Sequence, residues 1–224
     1  VADRSFVLGV DLDGVCGDHT EAFRRVVAAE LDVDPAALGP QTSWDFAEWG
    51  LAGDDFLRLH RKGVLEHHMF AEMPPVPGAA EALWRLSDAG IWIRLITHRL
   101  YASWGHATAV ADTVAWLDRH GIPYRDLCFL GHKPQVEADA YVDDAPHNIV
   151  ELRATGTPAI VYDQPYNQEL AGPRARDWED VERWVLRVAA STGHPVQGVL
   201  ELPEDPAGRL RGAHRPWPEA HDPN

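Results

Sequence analysis

Cysteine is nearly absent from this chain: Cys16 and Cys128 are the only two among 224 residues. Without a C-x-x-C pair, neither a thiol redox centre nor a structural zinc site has support, and two reduced thiols are expected. Basic residues are scarce beside acidic ones, 20 against 35, which leaves a formal charge of −15. That balance disfavours a nucleic-acid polymer or an anionic membrane as an extended partner. A small phosphorylated substrate stays compatible with it if a cation offsets the charge locally. Long apolar runs are missing as well. Nothing approaches the ~18 residues of a membrane span, and the stretch before Asp11 is too short for a secretory core. No membrane partner and a cytoplasmic location are therefore expected, and no internal repeat is visible.

What is present reads as an ordinary globular protein, 45% hydrophobic and 25% charged. The length suits one sizeable core with an inserted lobe. The first apolar run, Phe6 to Val10, stops on Asp11-Leu12-Asp13-Gly14-Val15. Side chains alternate along a strand, so Asp11 and Asp13 share a side if the extended geometry persists through Leu12. Gly14 then permits a sharp turn. A solvated strand-end turn is the plain alternative for this motif taken alone.

Strand-like runs recur at Phe6–Asp11, Ile91–Thr97, Leu127–Gly131, Ala140–Asp143 and Ala159–Tyr162, separated by segments of helical spacing. Alternation of this kind predicts right-handed crossovers and a parallel sheet covered on both faces, an α/β, Rossmann-like three-layer sandwich. Two helices ending at Gly90 and Gly121 fit the scheme, since glycine readily takes the left-handed conformation past a helix end. The first connection is far longer than the dozen or so residues a crossover needs. It opens with Asp18-His19-Thr20-Glu21 ahead of Phe23, Val26, Val27 and Leu31, a capped amphipathic helix. Residues 16–76 are therefore expected to form a small helical cap inserted after the first strand, with 1–15 and 77–190 as the core domain. Residues 191–224, broken by Pro195, Pro203, Pro206, Pro216, Pro218 and Pro223, read as an extended or disordered tail.

In an open α/β sheet, ligands gather at the carboxyl ends of the strands. Here those ends carry Asp11 and Asp13, then Thr97-His98-Arg99, then His132-Lys133, then Asp143-Asp144. Clustered carboxylates are costly unless a divalent cation bridges them, and hard oxygen ligands suit magnesium. Thr97 can hydrogen-bond an anionic oxygen and Lys133 can balance its charge.

D-x-D-G-V, a strand ending in threonine, a later lysine and a strand ending in Asp-Asp resemble the four motifs of the haloacid dehalogenase (HAD) superfamily. Further on, Tyr162-Asp163-Gln164-Pro165-Tyr166-Asn167 followed by Asp177-Trp178 resembles its 5′(3′)-deoxyribonucleotidase family. The resemblance implies a C1-type cap and a magnesium-dependent phosphomonoesterase. In it Asp11 is the nucleophile that becomes an aspartyl-phosphate, and Asp13 is the acid and base. Mg2+ would be held by Asp11, the main-chain carbonyl of Asp13 and Asp144, with Asp143 in support. Thr97 and Lys133 would grip the phosphoryl group. The family usually shows Thr-Ser-Pro where this chain has Thr97-His98-Arg99, so that the His98 imidazole stands in for a phosphate-binding serine. His19 stands where the family commonly places an aromatic residue that stacks on the base.

A nucleoside monophosphate is the substrate expected on that resemblance. A sugar phosphate or biosynthetic intermediate is an alternative, and a phosphate-binding or regulatory protein without turnover is another. Oligomeric state stays open, with a homodimer among the options. Trp44, Phe46, Trp49 and Phe70 at helical spacing read first as the cap's own core, and as base-stacking walls second. His67-His68 reads as an exposed helix end, His147 as the first turn of a helix, and Cys16 as a buried filler.

Overall fold

The computed structural model describes residues 5–51, 53–100 and 105–194. Six strands form one sheet, β1 (Val7–Val10), β2 (Trp92–Thr97), β3 (Asp126–Phe129), β4 (Ala140–Asp143), β5 (Ala159–Tyr162) and β6 (Arg174–Ala175). Their order is β3-β2-β1-β4-β5-β6, and every pair is parallel. Parallel strands covered by helices on both faces read as continuous apolar runs. The burial of Leu8, Val10, Leu95, Val142 and Ile160 follows from that. Gly9 sits where a Cβ would fall 2.5 Å from the ring of Tyr141 on the neighbouring strand.

Seven helices complete the described fold: α1 (His19–Leu31), α2 (Asp55–Leu65), α3 (Met69–Glu72), α4 (Ala79–Asp88), α5 (His106–His120), α6 (Pro146–Ala154) and α7 (Trp178–Ser191). Asp18 caps α1, accepting a hydrogen bond from the Glu21 amide at 2.9 Å, as its sequence predicts. Helix α5 ends on Gly121 in the left-handed conformation. The α/β three-layer reading is what the chain adopts. The strand boundaries shift by up to two residues, and the short edge strand β6 is an addition.

Helices α1 to α3 and two single turns, Pro35–Ala37 and Ala47–Trp49, occupy the long first connection. The chain leaves through Cys16 to Asp18 and returns through Pro74 to Val76. The two passes are joined by Asp18 N–H to the Pro74 carbonyl at 2.8 Å and Val76 N–H to the Cys16 carbonyl at 2.7 Å. Between them lies an aromatic cluster. Phe46 sits 5.0 Å from Phe23 and 4.6 Å from Trp49, centroid to centroid, and His60 sits 5.4 Å from His19. The proline-rich stretch from residue 195 lies outside the described residues.

Candidate active site

Strand register brings the polar strand ends to one level. Val10 lies opposite both Leu95 on β2 and Val142 on β4. The ladder runs one residue further through the Asp11 amide, which donates to the Val142 carbonyl at 3.1 Å. Asp11 therefore stands beside Asp143, and the turn after β3 carries Lys133 back between them. Its Nζ lies 2.7 Å from Asp11 Oδ1 and 2.5 Å from Asp143 Oδ2, with 2% of the lysine side chain exposed. Asp143 is further held by the Ala145 amide at 2.9 Å and the Asn148 side chain at 3.2 Å.

Oxygen atoms of Asp11, Asp143 and Asp144 lie within 4.8 Å of one another, and all three residues are buried. Burial pushes the Asp11 carboxyl up to about 7; Lys133 pulls it down while Asp143 and Asp13 add to the rise. Burial, with Asp11 and Asp143 adding to it, raises Asp144 well above the ordinary range. Three converging carboxylates sharing one lysine leave negative charge that a hard divalent cation would neutralise. The all-oxygen donor set fits magnesium.

Asp13 faces a different partner. Arg99 Nε lies 3.2 and 3.1 Å from its two carboxylate oxygens, and Nη2 lies 2.7 Å from Oδ1. Burial works to raise the Asp13 pKa, but the guanidinium outweighs it and holds the group at about 2. The loop that follows Asp13 is built for close approach. Gly14 has φ +79°, and a Cβ there would fall 2.3 Å from Asp144 Oδ2 and 2.9 Å from the Tyr166 hydroxyl.

The segment around Tyr162–Asn167 acts behind this loop. Gln164 Nε2 donates to the Gly14 carbonyl at 2.7 Å, the Tyr166 hydroxyl donates to Asp144 Oδ2, and Asn167 Nδ2 donates to the Asp144 carbonyl at 2.8 Å. From the start of α7, Trp178 Nε1 donates to the Val15 carbonyl at 2.9 Å.

These groups open into a cavity of about 210 Å³. Asp11, Asp13, Lys133, Asp144, His98 and His19 line it. Thr97 is fully buried, and its hydroxyl accepts the Arg99 amide at 3.3 Å. Asp143 is 1% exposed and reaches the cavity through Lys133 and Asn148. Arg99, His60, Gln41, Asn148 and Tyr166 also line the space, and the sequence reading assigned none of them to the site. For Arg99 a signal existed, its place in the polar strand-end triplet.

The cap aromatics divide. Trp44, Phe46 and Phe70 line the cavity with Phe56, whereas Trp49 packs in the core against Phe46. Core-only packing therefore holds for Trp49, while buried Phe46 and Phe70 serve both. Trp44 is 49% exposed and meets His147 and Tyr166 edge-on, at 5.3 and 5.6 Å. His147 does lie in the first turn of α6 and also lines the cavity. His67 and His68 pair with Glu30 and Asp112, each at 3.0 Å. Cys16 is buried, its thiol donates to the Asp11 carbonyl, and burial raises its pKa.

Burial dominates at His60 and His98. It depresses His60 to about 3 with help from His19, and His98 to about 4 with help from Lys133. His60 Nδ1 and His98 Nε2 are buried without a hydrogen-bond partner.

A sequence model of the family described as "5′ nucleotidase, deoxy (Pyrimidine), cytosolic type C protein" matches residues 4–191. A Chlorobaculum tepidum protein named "Putative 5′(3′)-deoxyribonucleotidase" is 42% identical over 182 residues, 81% of this chain and 90% of its own length. A protein of the same name from Bordetella pertussis is 27% identical, over 76% of this chain and 90% of its own. Among solved structures, a HAD family hydrolase from Deinococcus radiodurans with bound phosphate and sodium matches with a TM-score of 0.56. It is 13% identical, over 84% of this chain and 98% of its own. That likeness speaks to the fold alone.

Proposed function

The chain belongs to the cytosolic type C 5′-deoxynucleotidase family of HAD phosphatases. From that premise we propose that it hydrolyses nucleoside monophosphates through an aspartyl-phosphate on Asp11, with magnesium. The observation that carries the reading is one cavity holding two acids with opposite surroundings. Asp11 sits among carboxylates and a lysine, and Asp13 sits on an arginine.

An Asp11 carboxylate oxygen attacks phosphorus and the ester P–O bond breaks. Once the negative phosphate lies beside it, Asp13 takes up a proton from solvent and delivers it to the departing alkoxide. Asp13 then takes a proton from water, whose oxygen attacks phosphorus, releasing inorganic phosphate and restoring the Asp11 carboxylate. Lys133 holds Asp11 in place and, with Thr97 at the end of β2, supplies polar groups for the phosphoryl oxygens. Magnesium would be held by Asp11, Asp144 and the main-chain carbonyl of Asp13, and would neutralise charge between nucleophile and phosphate. Asp143 keeps Lys133 and Asn148 in position.

The cap reading of α1 to α3 serves the substrate assignment. Phe46, Phe56, Phe70 and Trp44 line the cavity with aromatic rings, and His19 and His60 are imidazoles whose pKa values burial lowers. A nucleobase stacks on such faces for ~1–3 kcal/mol each, whereas a polyol would leave hydroxyls facing apolar walls.

Phosphate release is measured across 5′- and 3′-nucleoside monophosphates and sugar phosphates, with Asp11→Asn as blank. Nucleotides are expected to lead, and Asp11→Asn to lose more than about 10³-fold. Release that persists in Asp11→Asn or after full chelation defeats the mechanism. Sugar phosphates outrunning every nucleotide defeat the substrate assignment alone.

A further inference from the structure

We propose that Arg99 is the positioning residue for proton transfer, setting the orientation of the Asp13 carboxylate from the cavity wall. The inference rests on the reading of Asp13 as the acid that protonates the leaving oxygen.

A carboxylate at the end of a short side chain can turn about two bonds, and the loop's backbone contacts do not stop that rotation. Arg99 does. Its Nε reaches both oxygens and its Nη2 lies 2.7 Å from Oδ1, so the contact is a fork rather than a point. The guanidinium is itself held. Nη1 donates to Thr113 Oγ1 at 3.0 Å, Nη2 lies 3.7 Å from Met73 Sδ, and its face stands 4.3 Å over the Phe70 ring. The Thr113 hydroxyl in turn donates to the Ala109 carbonyl at 2.6 Å, which anchors it to α5. Arg99 has no exposed side-chain area, whereas 27% of the Asp13 side chain is exposed. The arginine therefore reaches the reaction through the aspartate. A lysine keeps the charge but cannot reproduce the planar fork.

The test compares kcat/KM for a nucleoside monophosphate, whose alkoxide leaving group needs a proton, with that for p-nitrophenyl phosphate, whose leaving group does not. Arg99→Lys is expected to lose about 10- to 100-fold on the nucleotide, part of the 10²–10⁴ typical of general acid catalysis, and less than about threefold on the nitrophenyl ester. In an Asp13→Asn background the same substitution is expected to add nothing. Equal losses on both substrates, or additive effects of the two substitutions, overturn the proposal. If Asp13→Asn itself shows no leaving-group dependence, the reading of Asp13 fails instead. Should Arg99→Lys not fold by circular dichroism, Thr113→Val leaves both partners in place and loosens only the anchor. It is expected to lose about threefold or more on the nucleotide alone. Absence of that selective loss also overturns the proposal.

Discussion

Replacing His60 by phenylalanine should stabilise the protein, and more so in acid. The imidazole is 6% exposed, its Nδ1 has no partner, and rings of His19, Phe23, Phe56 and Phe70 surround it at 5.4 to 5.9 Å. A buried polar atom left unpaired costs about 1–3 kcal/mol, which an aromatic hydrocarbon in the same cage removes, less any strain of overpacking. The second contribution depends on pH. Burial depresses the folded pKa from 6.5 to about 3. The unfolded chain therefore binds a proton that the folded one refuses, and stability is lost as pH falls from 6.5 towards 3. At about 1.36 kcal/mol per pH unit, the native histidine costs the fold roughly 2 kcal/mol at about pH 5 relative to pH 7.5. Urea denaturation of both proteins, in chelator, at these two pH values measures it. The advantage of His60→Phe should grow by roughly 2 kcal/mol on acidification. An advantage that is the same at both values, within about 0.5 kcal/mol, refutes the burial argument.

Two other substitutions probe the acidic group. Gly14→Ala forces a left-handed backbone on alanine, about 1–2 kcal/mol, and drives a methyl group into Asp144. The melting temperature should fall and the affinity for Mn2+, titrated calorimetrically without substrate, should fall at least about tenfold; unchanged affinity shows that Asp144 is not a ligand. Tyr166→Phe removes the hydroxyl that holds Asp144 Oδ2. A three- to tenfold weaker Mn2+ titration is expected, in the range of an outer-shell hydrogen bond at about 1 kcal/mol, and tightening instead means that the tyrosine competes with the cation.

The sheet was legible because parallel strands buried on both faces read as apolar runs, and each run stopped on a polar residue that register then placed at one level. Asp11 and Asp143 meet for that reason, and the turn after β3 brings Lys133 between them. Arg99 escaped assignment because the residue two beyond a strand end has no face imposed by pleating, and the reach of a long side chain is decided by what anchors its tip. His60 escaped because it sits beside Leu59 and near Val64 on an amphipathic helix, where an imidazole reads as polar surface. Strand β6 pairs Arg174 and Ala175 through main-chain atoms alone, which no hydrophobic pattern marks. For Trp44, Phe46 and Phe70, spacing identified an apolar face but could not distinguish a wall shared with a cavity from one closed on itself.

Strand β1 lies inside the sheet, between β2 and β4, and the loop that follows it is held by an indole 163 residues later. Translation runs in one direction, so the segment bearing Asp11 leaves the ribosome before the strands and the indole that secure it. Both of its edges stay open until Trp92–Thr97 and then Ala140–Asp143 have emerged, and an unpaired apolar strand is the kind of surface that misassociates. The nascent chain thus exposes Asp11 and Asp13 well before the clasp for their loop. The loop's final arrangement waits for the helix that begins at Trp178.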